Sequence, residues 1–160
     1  MTSYPDITII VDTREQQPWD FDNYAVAHTK LDTGDYSIEG MEEIITIERK
    51  KSVSEIANNI TEKRFVDVLE RLSEYKYPFI LLEFGLSDVL MYPVGSNLPK
   101  KMWSKIKISP TFILKNMLEW ELKYGIHVIF CESGKNARIL AEYIFKKIYF
   151  TELNNSKEKE

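Results

Sequence analysis

Cysteine is almost missing from this 160-residue chain, where Cys131 stands alone. One thiol excludes a disulfide framework and any zinc site built on several cysteines, and it fits a reducing compartment. Histidine is as scarce: His28 and His127 are the only two, each better read as a packed or surface side chain than as a ligand. No apolar run approaches the roughly 20 residues of a membrane-spanning helix, so no membrane partner is expected. The first six residues lack the basic-then-apolar layout of a signal peptide. Glycine and proline, at six each, are too few for a fibrous or disordered chain. What is present, 44% hydrophobic and 29% charged residues, suits one domain able to bury a core without staples. The expectation is a cytoplasmic protein with one domain over residues 1–150. A polar tail over 151–160 should fray from Asn154 onward.

The net charge is −4, yet charge is segregated along the chain. Between Asp12 and Glu48 there are ten acids against two bases, Arg14 and Lys30. Between Val89 and Leu118 there is no acid and there are five lysines: Lys100, Lys101, Lys105, Lys107 and Lys115. The first region can hold a cation and the second a polyanion. Charge alone is better served by two solvated faces.

Residues 6–12 form a β-branched run of strand length that ends on Asp12. A polar loop follows over 14–23, then a second strand over 24–31. The segments 34–38 and 43–48 flank Gly40 as a hairpin. Ser52 and Glu55 have capping-box spacing at the start of a helix. Phe65, Val68, Leu69 and Leu72 mark a helix over 62–75. The apolar run 77–84 reads as a central strand covered on both faces. Ser109-Pro110 opens another helix that Gly125 closes as its C′ residue. A strand over 126–131 and an amphipathic helix over 137–148 complete an α/β layer domain with a mixed central sheet flanked by helices.

The chemically informative segment is Ile47-Glu48-Arg49-Lys50. On a strand, Glu48 and Lys50 share one face and Arg49 points to the other. If the Asp35 strand pairs with this one, Asp35 reaches the same surface. Two carboxylates and an ammonium at one strand edge suit phosphodiester hydrolysis: carboxylates hold Mg²⁺, and a lysine orients water or neutralises developing charge. Asp12 and Glu15, at the end of the first strand, can complete or support the metal site. Taken alone, Glu-x-Lys on an exposed strand is usually a solvated face.

Several such elements occur in order. Val11-Asp12-Thr13-Arg14-Glu15, Leu31-Asp32-Thr33-Gly34-Asp35-Tyr36 and Ile47-Glu48-Arg49-Lys50 together resemble the nuclease domain of the XPF family of structure-specific endonucleases. Lys63-Arg64-Phe65 and Glu83 extend the likeness. The resemblance implies a restriction-endonuclease-like core and Mg²⁺- or Mn²⁺-dependent cleavage of branched, flapped or forked DNA, with no nucleotide cofactor. It implies Asp12, Asp35 and Glu48 as metal ligands or their close support, Glu15 beside them, and Lys50 as the catalytic lysine. Arg14 and Arg49 would contact phosphate or brace the site, and Arg64 either contacts phosphate or is a surface charge. The family pattern has an aspartate four residues after the lysine, where this chain has Ser54. Glu55 is one residue later, and its cap gives it a sufficient structural job. Relatives usually append a tandem helix-hairpin-helix domain; its absence suggests a compact nuclease such as a virus or mobile element encodes, with a homodimer as one way to enlarge the DNA surface.

Lys100, Lys101, Lys105 and Lys107 surround Trp103, a basic stretch whose indole either stacks on a base or tucks under a lysine-rich loop. Two rival readings stand beside the enzyme: a catalytically inert DNA-binding domain of the same fold, and an interaction protein that docks an acidic partner through this basic loop.

Overall fold

The β-branched run near the N-terminus becomes an interior strand. In the computed structural model, which describes residues 6–158, β1 (Thr8–Val11) lies parallel to β2 (Ala25–His28) and antiparallel to β3 (Tyr36–Ile38). β4 (Ile45–Lys50) pairs antiparallel with β3 and parallel with β5 (Tyr77–Leu82), and β6 (His127–Phe130) lies parallel to β5. The result is a mixed six-stranded sheet in the order β2-β1-β3-β4-β5-β6. β2 is shorter than expected and mostly exposed, as befits an edge. The expected hairpin is the β3–β4 pair.

Strand periodicity sorts the side chains into two layers. On one face, Ile9, Val11, Tyr36, Ile38, Ile45, Ile47 and Leu81 pack with Ala137, Ala141, Ile144, Phe145 and Ile148 of α5 (Gly134–Glu158). On the other, Ile80 and Leu82 pack under α1 (Val53–Ile60), α2 (Lys63–Ser73) and α4 (Pro110–Leu122), through Ile56, Phe65, Leu69, Leu72, Ile113 and Trp120. A short helix α3 (Leu86–Met91) and a 3₁₀ turn over Lys100–Lys105 connect β5 to α4. Both expected N-caps form: Ser52 Oγ accepts the Glu55 N–H and Ser109 Oγ the Phe112 N–H, each at 3.2 Å. Gly125, with φ 67°, sits one position beyond the expected C′.

The expected frayed tail is instead helical. α5 runs without a break through residue 150 to Glu158, and only residues 159–160 of that segment lie outside the described residues. Glu152 Oε1 anchors this extension, accepting from Lys76 Nζ at 2.7 Å and Tyr77 Oη at 2.8 Å. Apolar periodicity ends at Ile148, so the polar continuation, tied by an ion pair and a hydroxyl, carried no hydrophobic signature.

One turn sets the site's position. Gly34 has φ +89°, and a Cβ there would collide with Thr46 Oγ1, whose hydroxyl donates to Thr33 O at 2.7 Å. A left-handed backbone costs a side-chain residue roughly 1–2 kcal/mol and overpacking typically ~1–3 more. Gly34→Ala is therefore expected to lower the melting temperature by at least about 4 °C, at ~2–4 °C per kcal/mol for a domain of this size. An unchanged thermal scan would contradict this account of the turn.

Candidate active site

β3 begins at Tyr36, opposite Ile47, so the end of β4 overruns it. The overrun leaves the Arg49 N–H without a β3 carbonyl, and Asp35 Oδ2 accepts it at 2.7 Å. Backbone bonds align the neighbouring strand ends: Asp12 N–H donates to Asp35 O at 2.9 Å, and Asp35 N–H to Ile47 O at 2.8 Å. The chain thus delivers Asp12, Asp35 and the Glu48–Lys50 segment to one end of three adjacent strands.

Glu48 and Lys50 project together, away from the α5 face. Lys50 Nζ lies 3.4 Å from Glu48 Oε1, 3.7 Å from Glu55 Oε1 and 5.1 Å from the Phe65 ring centre. Placing these side chains on the surface of a strand edge, the natural expectation for a charged strand end, is corrected here. Lys50 is only 5% exposed, and its ammonium lies over the Phe65 ring of α2. Burial pushes the Asp35 carboxyl up to about 8, and the neighbouring charge of Glu48 adds to it; the Arg49 N–H opposes the shift. Burial raises Glu48 as well, opposed by the Lys50 ammonium, with Glu55 and Glu15 adding repulsion.

Arg49 points the other way and is fully engaged. It forms a fork with Glu83, Nε to Oε2 at 2.8 Å and Nη2 to Oε1 at 3.3 Å, and donates from Nη1 to Gln17 O at 2.6 Å. Glu15 Oε2 lies 3.8 Å from Nη1, and the guanidinium sits 5.0 Å from the Trp19 ring centre. Trp19 itself donates from Nε1 to Glu83 Oε2 at 2.6 Å and stacks on Tyr36 at 4.5 Å. Of the two roles open to Arg49, phosphate contact and brace, this geometry is that of a brace. Trp19 was invisible in a stretch that reads as a polar loop. The signal that could have found its network is Glu83, an acid ending a buried strand and so in need of a cation.

Asp12 is 2% exposed and its oxygens are committed. Oδ1 accepts the Leu31 N–H at 2.8 Å and Arg14 Nη2 at 3.3 Å; Oδ2 accepts Arg14 Nε at 2.8 Å and the Arg14 N–H at 3.2 Å. Burial pushes its carboxyl up, but the Arg14 and Leu31 donors outweigh that and hold it below the usual range. Arg14 remains 61% exposed, and its charge is felt by Asp35 and Glu48. Arg64 lines a cleft of about 260 Å³ with Glu48, Lys50 and Phe65, its side chain exposed and paired to Glu62 at 2.7 Å. Lys100, Lys101, Lys105 and Lys107 are exposed on and just after the 3₁₀ turn. Trp103 is half-buried, its Nε1 donating to Leu98 O at 3.1 Å.

Of the three carboxylates expected as metal ligands, Asp35 and Glu48 come together, while Asp12 is tied to Arg14. Among the described residues no three His, Cys, Asp or Glu side chains surround a common metal position. The donor set nevertheless fits a hard divalent cation. Two mutually repelling carboxylates offer oxygen only, and Mg²⁺ takes one or two carboxylates and completes its shell with water and phosphate oxygens.

The model of the ERCC4 domain matches residues 11–143, a span that contains every residue discussed above as a site candidate. The chain belongs to the ERCC4 domain family. This ERCC4 domain is similar to the 3'-flap repair endonuclease Xpf of Saccharolobus solfataricus, 26% identical over 128 residues, or 79% of this chain and 47% of that protein. It thus spans about half the length of that curated relative. Its fold matches XPF from Aeropyrum pernix with a TM-score of 0.64 and 21% identity, over 94% of this chain and 69% of the other. The match to that XPF in complex with DNA has a TM-score of 0.66 and 21% identity, over 91% of this chain and 66% of the other. The α/β fold expected from the sequence, a mixed sheet flanked by helices like that of the XPF nuclease domain, is the one observed.

The Asp35 environment has a consequence for stability. A carboxyl near 3.9 in the unfolded chain and near 8 in the fold keeps its proton longer when folded, so stability falls as pH rises from about 4 to 8. In metal-free buffer at pH 8–9, Asp35→Asn should melt higher than the wild type, since an amide oxygen can still accept the Arg49 N–H. At pH 4 the gain should vanish. A lower melting temperature for Asp35→Asn at pH 8–9 would contradict it.

Proposed function

We propose that this ERCC4 domain is a divalent-cation-dependent endonuclease that hydrolyses phosphodiester bonds in branched, flapped or forked DNA. The observation that carries this reading is the convergence of Asp35, Glu48 and Lys50 at one strand end, with Arg49 locked behind them. The relatives' names support it: one is a 3'-flap repair endonuclease and the other was solved with DNA. The retained carboxylates favour an enzyme over an inert DNA-binding domain.

Asp35 and Glu48 are the residues that would hold Mg²⁺ or Mn²⁺, with Glu15 and Asp12 as support. When bound, such a cation lowers the pKa of water and offsets charge on the phosphate. Lys50 supplies a fixed ammonium, 3.4 Å from Glu48, that can donate to the attacking water or to a phosphate oxygen as negative charge develops. Burial against Phe65 strengthens that donor by excluding water. Arg49 sets the direction of β4 and so aims Glu48 and Lys50. Arg14, held by Asp12 and the Leu31 carbonyl, and Arg64, held by Glu62, are exposed guanidinium groups whose remaining N–H donors are suited to phosphate contact. The lysines around Trp103 would extend the surface along the DNA backbone, and a homodimer would double it.

A cleavage panel of linear, flapped, forked and four-way DNA tests the reading. Mg²⁺ or Mn²⁺ should support cutting, excess EDTA should abolish it, and Ca²⁺ should support binding with little cutting. Because Lys50 is buried, Lys50→Met is the informative variant: it keeps an unbranched side chain of similar bulk and removes the charge. It should fold and lose about 100-fold or more in kcat. Undiminished cutting in EDTA, or near-normal turnover of Lys50→Met, would overturn the mechanism.

DNA binding is expected to weaken when Lys100, Lys101, Lys105 and Lys107 are all changed to Ala. The salt dependence should flatten by roughly 0.9 in log–log slope for each duplex phosphate that the variant no longer neutralises. Turnover at saturating DNA should survive. Unchanged affinity and slope would show that the four lysines are only a solvated turn.

A further inference from the structure

Glu55 lies in the first turn of α1, where an acid needs no function: it opposes the positive end of the helix and can cap it. Its two oxygens, however, face different partners. Oε2 accepts the Lys51 N–H at 2.9 Å, one residue earlier than the reciprocal capping bond to Ser52. Oε1 is turned to the Lys50 ammonium at 3.7 Å. Lys50 Nζ therefore lies between two carboxylates, Glu48 at 3.4 Å and Glu55 at 3.7 Å, over the Phe65 ring.

The two carboxylates are not equivalent. Glu48 is shared between Lys50 and the oxygen-rich corner it forms with Asp35. Glu55 is 40% exposed on its side chain, stands outside that corner and, among the described residues, serves the cap and Lys50. An ammonium is a compact charge on a flexible four-carbon stem, so one shared partner does not fix its position. We propose that Glu55 is a positioning residue for Lys50: one oxygen ties the carboxylate to the chain entering α1, and the other holds the ammonium beside Glu48. Its catalytic meaning rests on the nuclease reading above; the contact itself does not.

Two substitutions separate positioning from capping. Glu55→Gln keeps an oxygen for the Lys51 N–H and removes the charge facing Lys50, whereas Glu55→Ala removes both. Glu55→Gln should melt within about 2 °C of the wild type, keep its KM for DNA, and lose about tenfold in kcat, or ~1.4 kcal/mol. Glu55→Ala should lose the same kcat and also melt lower. In metal-free protein with ¹³C-labelled lysine, the order parameter of the Lys50 ε-methylene should fall in Glu55→Gln. An unchanged kcat or an unchanged order parameter in Glu55→Gln overturns the proposal and leaves Glu55 a cap. If the wild type cuts no DNA, the nuclease reading fails, and the order parameter alone decides whether Glu55 holds Lys50.

Discussion

Repulsion between Asp35 and Glu48 is the constraint around which the rest of the site is arranged. In water two neighbouring carboxylates cost little, but at this strand end burial raises the proton affinity of both, and the charge of Glu48 raises that of Asp35 further. The fold does not relax this by letting them part. The turn at Gly34 presses residue 35 onto β4, the overrun of β4 gives Asp35 a backbone donor, and Lys50 is brought in against Glu48. What these interactions leave is a pair of oxygen ligands whose ionised forms are poorly compensated, so that a hard cation can take the place of a proton.

A strand's two-residue period divides the work. Ile45, Ile47 and Arg49 face α5, so the arginine ends a row of core side chains and finds Glu83 there. Glu83 in turn packs against Gly134, where a Cβ would meet Oε2 at 2.9 Å, at the start of the 25-residue α5. An anion beside a helix N-terminus is favoured, and removing one member of a buried pair typically costs about 3–5 kcal/mol even where the pair adds little net stability. The pair therefore specifies a direction for β4 more than it strengthens the sheet. Thr46, Glu48 and Lys50 occupy the alternate positions, and the chemistry follows from that alternation.

Much of this was legible beforehand because it is local. β-branched runs, the Ser52 and Ser109 caps and the opposite projection of Arg49 and Lys50 depend on residues within a few positions of one another. What sequence reading missed depends on distant partners. Lys50 is buried with Phe65 of α2 and Glu55 of α1 against its ammonium, Trp19 is ordered by Glu83 and Tyr36, and α5 extends past its apolar stripe because Glu152 meets Lys76 and Tyr77. Asp12 looked equivalent to Asp35 and Glu48 as an acid ending a strand. Its commitment to Arg14, two residues on, was not visible in composition, since Arg14 served equally well as a phosphate ligand.

The most direct measurement is Mn²⁺ titration followed by paramagnetic line broadening in the ¹⁵N spectrum. If Asp35 and Glu48 hold the cation, broadening appears first at Asp35 and at Glu48 through Lys50, at substoichiometric Mn²⁺, and is lost in the folded Asp35→Asn protein. Broadening centred instead on the exposed acids Glu39 and Glu43, or spread evenly over the acidic surface, would contradict it.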